Sequence, residues 1–381
     1  MKRNVTQPKF IPIAQPVFGG NEKKYVLECL ETGWISSIGR FIPLFEEAFA
    51  TYCSADYGIA CNNGTSALHL ALAGLGVGPG DEVVVPTLTY VATANAVRYC
   101  GARPVFIDSE PRTMTLDPRL LESCLSPRTK GIIAVHLFGH AADMDAIVEV
   151  ARRNGLFVLE DAAEAHGALY RGRKIGGLSD AATFSFYGNK IITTGEGGMI
   201  TTSDISLQKK INILRGQGMD PNRRYWFPVV GYNYRMTNIA AAIGLAQLEQ
   251  IGQLLEKRFQ LSRAYHRQLA SLEDFFILPS EEPWARHVFW SYTVVMRDSL
   301  RLDRDELMKR LESDGIETRP AFYPMHMLPP YRDQTRLFPV ADKLSRRGIS
   351  LPMHGLLSED DISYIAERLS RSCKYSDCAQ S

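Results

Sequence analysis

The chain has 381 residues, 45% of them hydrophobic, which is enough to bury a sizeable core and too long for one small domain. Its 43 basic residues nearly balance its 42 acidic ones, for a formal net charge of +1. That balance argues against a nucleic-acid-binding or membrane-surface protein, either of which carries a basic excess. The seven cysteines are scattered and include no Cys-x-x-Cys pair, so neither a disulfide framework nor a zinc site is expected. No segment approaches the roughly 18 uninterrupted apolar residues of a spanning helix, and a soluble, cytoplasmic protein without membrane or nucleic-acid partners is expected.

From Tyr57 to about Thr202, short apolar runs alternate with helical stretches. Strands are expected at Tyr57–Cys61, Glu82–Pro86, Pro104–Asp108, Gly131–Phe138, Phe157–Glu160, Ala182–Phe186 and Gly198–Thr202. Several are apolar on both faces, as in a covered, mostly parallel sheet. Helices are expected between them, for example over Ser66–Leu75 and Met144–Asn154. One long helix is expected from about Asn238 to Leu272, capped by Thr237 or Asn238. Beyond Phe275 a strand over Trp290–Met296, a helix over Asp303–Asp314 and a helix ending near Leu369 indicate a smaller α+β unit, followed by a frayed tail from Arg371. The expected division is 1–250 for a large α/β domain that includes the N-terminal segment, and 251–381 for a small one.

Three segments carry chemistry. Asn62-Asn63-Gly64-Thr65-Ser66-Ala67 joins a strand to a helix, where hydroxyls and free amides make an anion site or an ordinary helix cap. In Phe157–Gly167 an apolar strand runs into Glu160-Asp161, with Glu164 and His166 separated by alanines. Carboxylates at the carboxyl end of such a strand lie where open α/β sheets bind ligands, and the small residues suit a flat ring. In Thr183–Gly198, Lys190 stands between an apolar strand and a glycine-rich turn, with Ser185 upstream. Its neighbours Phe184, Phe186, Ile191 and Ile192 favour a desolvated, nucleophilic amine over a surface charge. A phosphate anchor, an acid for a ring nitrogen and a lysine for an aldehyde together match pyridoxal phosphate (PLP) chemistry.

At these residues the chain resembles the DegT/DnrJ/EryC1/StrS sugar aminotransferases. The likeness runs from about Ile11 to Leu369 and is carried also by Gly231–Asn238 and Glu317–His326. It implies the PLP-dependent transferase fold of the aspartate aminotransferase type: a large domain with a mostly parallel mixed sheet and a smaller C-terminal α+β domain. It implies PLP, with its pyridoxamine form, as cofactor, and a homodimer with shared active sites. Lys190 would carry the cofactor and shuttle protons, and Asp161 would meet the ring nitrogen. Glu164 would face the ring hydroxyl, where many relatives have glutamine. Gly64, Thr65 and Ser185 would hold the phosphate, Tyr90 would stack on the ring, and Asn233 would reach the phosphate of the neighbouring subunit. Trp34, Arg319 and His326 would line the nucleotide-sugar side. Arg319 could instead pair with a nearby carboxylate, His326 could be a packed turn residue, and Tyr225 with Trp226 could be core or substrate wall.

The resemblance is nearest to the perosamine-forming branch, through Asp161–His166, Arg215–Trp226 and Phe322–His326. It implies L-glutamate as donor and GDP-4-keto-6-deoxy-D-mannose as acceptor. The alternatives are a dTDP- or UDP-linked keto sugar, or a non-catalytic module of the same fold. A sugar dehydratase, which carries histidine at the lysine position, is disfavoured by Lys190.

Overall fold

The computed structural model describes residues 10–332 and 335–378. Two helices come first, α1 (Glu22–Thr32) and α2 (Phe41–Cys53). There follow β1 (Tyr57–Cys61), α3 (Gly64–Gly74), β2 (Glu82–Pro86), α4 (Val91–Tyr99), β3 (Arg103–Ile107), the short α5 (Leu121–Cys124), β4 (Thr129–Val135), α6 (Met144–Arg153) and β5 (Phe157–Asp161). A two-residue pair, β6 (Leu169–Tyr170) and β7 (Arg173–Lys174), precedes β8 (Ala181–Ser185), β9 (Gly198–Thr202) and α7 (Ile205–Arg215).

These strands form a seven-stranded sheet in the order β1-β9-β8-β5-β4-β2-β3. Neighbours from β8 to β3 pair in parallel, whereas β9 runs antiparallel to both β8 and β1. The mostly parallel mixed sheet expected from the sequence is therefore present. Its strands are apolar on both faces because helices cover both, and two buried clusters lie on the two sides.

The second half begins with α8 (Asn238–Glu249) and α9 (Ile251–Leu269). Thr237 caps α8 by accepting from the Ala240 N–H. The single long helix expected over Asn238–Leu272 is broken at Gln250, whose φ of −112° and ψ of 11° leave the helical region. A network holds the break: the buried Glu22 carboxylate accepts from the side chains of Gln247 and Gln250. Next come β10 (Phe276–Ile277), β11 (Ala285–Arg286), β12 (Tyr292–Met296), α10 (Arg304–Ser313), β13 (Arg319–Pro320), α11 (Pro339–Arg347), β14 (Gly348–Leu351) and α12 (Glu359–Cys378). A four-stranded sheet in the order β10-β12-β14-β13 carries its own core between α9, α10 and α12. The frayed tail expected from Arg371 is instead helical to Cys378, because Ser372 and Cys373 are buried. Ile11 also belongs to this core, and its backbone bonds to Gly315 and Glu317. Among the described residues no helix is long and apolar enough to cross a membrane.

Candidate active site

The carboxyl ends of β2, β4, β5 and β8 open together onto a cavity of about 560 Å³, where parallel sheets place ligands. One end of it is a turn laid across strand ends. Asn63 caps α3, its side chain accepting the Ser66 N–H at 2.8 Å, which leaves the backbone of Gly64 and Thr65 at the helix N-terminus beside the cavity. That terminus carries a partial positive charge suited to an anion. The turn sits so close that glycine is required twice. A Cβ on Gly64 would come within 2.8 Å of the Ser185 Cβ, and one on Gly198 would strike the Asn63 carbonyl. The Ser185 hydroxyl accepts the Tyr187 N–H and lines the same end.

Asp161 ends β5. The Thr93 hydroxyl, in the first turn of α4, donates to its Oδ2 at 2.7 Å, and the Ala163 N–H reaches Oδ1 at 3.3 Å. Burial pushes its pKa up, and the Thr93 hydrogen bond opposes the rise. Three residues on, Glu164 is also pushed up by burial, and the Lys190 charge opposes this. One Glu164 oxygen accepts the Phe138 N–H at 2.9 Å and the other faces Lys190 Nζ at 3.4 Å. Phe138 holds this amide in place through a left-handed conformation, φ 56°.

The Lys190 ammonium also lies 4.1 Å from the centre of the Trp290 ring. Trp290 is fixed by its indole N–H, which donates to the Asn189 carbonyl at 2.8 Å. Tyr90, half-exposed, borders the cavity with Phe322 5.8 Å away, and Phe322 stacks on Phe138. From the small sheet come Arg319 and the segment Ser350, Leu351 and Met353. Arg319 makes only a 3.5 Å contact with Glu317 and is half-exposed, so its guanidinium stays accessible to an anion.

Gly64, Thr65, Tyr90, Asp161, Glu164, Ser185, Lys190 and Arg319 thus share one cavity. Three other expected residues stand apart. His326 is buried behind the wall, both ring nitrogens engaged, by Thr87 at 2.8 Å and Asp342 at 3.1 Å, so it does not line the cavity. Trp34 is exposed near the start of α8, where its carbonyl accepts from Asn238. Asn233 is exposed and bonded to Arg235, outside its own chain's cavity. Tyr225 and Trp226 are neither core nor cavity wall, being exposed with arginines stacked on them. Sequence reasoning missed Trp290, Phe322, Phe138 and Thr93. Three of them stood in segments the sequence marks, Trp290 heading an expected strand, Phe138 ending another and Phe322 opening Phe322–His326, but none had a role of its own.

The residues present fit PLP. A carboxylate buried with only a hydroxyl and a weak amide contact can hold a protonated ring nitrogen, an anion cradle lies at one end, and an amine stands between aromatic walls. A family model, the DegT/DnrJ/EryC1/StrS aminotransferase family, matches residues 17–370. The chain is 57% identical over 360 residues to the GDP-perosamine synthase of Caulobacter vibrioides, covering 94% of this chain and 97% of that one. It resembles the solved structure of DesV from S. venezuelae with a TM-score of 0.87 at 36% identity, covering 93% of this chain and 94% of that one. A Streptococcus pneumoniae protein solved in its PLP form gives a TM-score of 0.90 at 27% identity, over 96% and 98% of the two chains. With the cavity and these likenesses in agreement, the chain belongs to the DegT/DnrJ/EryC1/StrS family and is a PLP-dependent sugar aminotransferase.

Proposed function

We propose that this protein moves the amino group of L-glutamate to C4 of GDP-4-keto-6-deoxy-D-mannose, giving GDP-perosamine. The observation that carries the proposal is the meeting of Lys190, Asp161 and the Gly64–Ser185 cradle in one cavity, in a chain so similar to the Caulobacter enzyme. When bound, PLP supplies a carbonyl that exchanges for an amine and a ring that takes up the electron pair left when the donor's α-carbon loses its proton. Gly64, Thr65 and Ser185 hold the phosphate in this proposal, Asp161 holds the ring nitrogen protonated, Glu164 faces the ring hydroxyl, and Tyr90 covers one face. Lys190 Nζ would anchor the carbonyl carbon and, once the incoming amine displaces it, would move the proton between the α-carbon of the bound amine and that cofactor carbon, as a general acid and base. Arg319 meets a carboxylate of the donor or a phosphate of the acceptor.

A homodimer is part of the same reading. Asn233 is exposed and does not line its own cavity, which suits a residue that serves the phosphate end of a second copy. Trp34, exposed beside the start of α8, would lie on the same shared side. The chain divides near residue 250 into a large body and a small one, with Ile11 reaching across to the small one.

The test compares kcat/KM for GDP-, dTDP- and UDP-linked 4-keto-6-deoxy sugars at saturating glutamate. The GDP-mannose derivative is expected to lead. A tenfold advantage for either rival, about 1.4 kcal/mol of transition-state preference, overturns the acceptor and leaves the transamination standing.

A further inference from the structure

Tyr232 and Tyr234 stack on each other, ring centres 5.0 Å apart and planes nearly parallel, while the intervening residue, Asn233, is exposed. The stretch is pinned along its backbone. Tyr232 N–H donates to Leu214 and Tyr234 N–H to Arg215 at the end of α7, and the Tyr234 carbonyl accepts the Asn62 N–H at 2.8 Å. Asn62 immediately precedes the turn that forms the anion cradle. The tyrosine pair rests on His69, which lies in the second turn of α3 and is 4% exposed. The His69 ring is 4.7 Å from Tyr232 and 5.9 Å from Tyr234, with Nδ1 3.4 Å from the Tyr234 hydroxyl. Burial holds the His69 pKa below its ordinary value, so the ring packs as a neutral group. The first turn of α3 therefore faces its own cavity, while the second turn grips the segment that carries Asn233 outward.

We propose that His69 is a positioning residue which, through the Tyr232–Tyr234 pair, fixes the direction in which Asn233 leaves its chain and so sets its grip on the phosphate end of a second copy's cavity. This rests on the reading that Asn233 crosses between copies. Each α3 then serves two sites, its own by its N-terminus and its neighbour's by His69.

Mixed dimers separate the two roles. A wild-type chain is paired, through two affinity tags, with a Lys190→Ala chain, so that only the wild-type cavity gives the visible absorption of lysine-linked cofactor. The Lys190→Ala chain carries His69→Ala in one preparation and Asn233→Ala in another. Dissociation constants are measured for PLP and for pyridoxal, which lacks the phosphate. His69→Ala in the neighbouring chain is expected to weaken PLP about tenfold, the scale of one hydrogen bond to a charged group, and to leave pyridoxal within twofold. Should that chain not assemble, Tyr232→Leu, half-buried on the crossing segment, is expected to give the same phosphate-selective loss. If Asn233→Ala weakens PLP in trans and neither clamp variant does, the role of His69 is overturned alone. Equal weakening of PLP and pyridoxal also overturns it. If Asn233→Ala itself has no effect in trans, the crossing of Asn233 fails and the clamp falls with it.

Discussion

Two buried carboxylates share the cavity, and they differ in what holds them. Glu164 faces the Lys190 ammonium, whereas Asp161 has a hydroxyl and one weak amide. Because burial raises the Asp161 pKa, the folded cofactor-free chain binds that proton more tightly than the unfolded chain does. The resulting penalty is absent below the ordinary carboxylate range, grows as pH climbs through the raised value, and is complete above it. Asp161→Asn removes it. The cofactor-free variant is expected to melt a few degrees above the wild-type protein at pH 8, with the gap narrowing as pH falls toward the ordinary carboxylate range, while the loaded variant loses turnover. Calorimetry across that range checks the sign. Lys190→Ala is expected to keep PLP through the phosphate and Asp161 but to lose the visible absorption of the linked cofactor, with turnover down by roughly 10³-fold, the scale of a lost acid–base group. Stopped-flow absorption with glutamate measures both. At this scale the sequence is informative where chemistry clusters locally: Asp161 ends a strand among alanines, and Lys190 lies in the turn after a strand among apolar neighbours. It assigns no role to Trp290 and Phe322, which reach the cavity from the later half of the chain, just before β12 and just after β13. Only the family resemblance places His326 on the nucleotide-sugar side; the alternative of a packed turn residue accords with the bonds of both its nitrogens to Thr87 and Asp342.

Among the elements, the seven strands of the large sheet are legible because a strand covered on both faces must be apolar throughout. Three of them match their expected bounds, and the others shift mainly at their ends. Helix α1 leaves no comparable sign, since it buries only Glu22 and Cys29 and its apolar stripe is narrow, whereas α2 buries Phe41, Phe45 and Phe49 at helical spacing. The break between α8 and α9 is invisible for another reason, since Gln250 is a good helix former and the Glu22 network that displaces it comes from the far end of the sequence. Just after that break α9 carries Arg258, fully buried, its Nη1 donating to the carbonyls of Phe289, Trp290 and Met353. Burial lowers its pKa to about 10. The guanidinium ties the cavity segments at Trp290 and Met353 to one helix. Arg258→Met is expected to lose roughly 2–4 kcal/mol of stability, because three buried carbonyls lose a charged donor. Urea unfolding measures the loss, and a change under 1 kcal/mol would mean that water or backbone shifts replace the donor.

For the molecule as a whole, exposed apolar side chains gather in two stretches, Leu30, Trp34 and Ile38 in one, Trp226, Phe227 and Val230 in the other. The first stretch bonds to the start of α8 and the second leads into the Asn233 segment. In the proposed dimer these surfaces are covered, as large exposed apolar areas usually are. Solution scattering at assay concentration is expected to give twice the monomer mass; a fully active monomer would refute the shared site. A last consequence follows from where the cavity walls are encoded. The anion cradle, Asp161, Glu164 and Lys190 all come from residues 63–196, whereas Trp290, Arg319, Phe322 and the Ser350–Met353 segment come from the later chain. The groups proposed to hold the cofactor and the wall that faces them are thus written in separate stretches of one gene. Substitutions confined to the later stretch can therefore reshape one wall of the cavity while the opposite wall keeps its residues, with Trp290, over the Lys190 amine, as the point where the two meet.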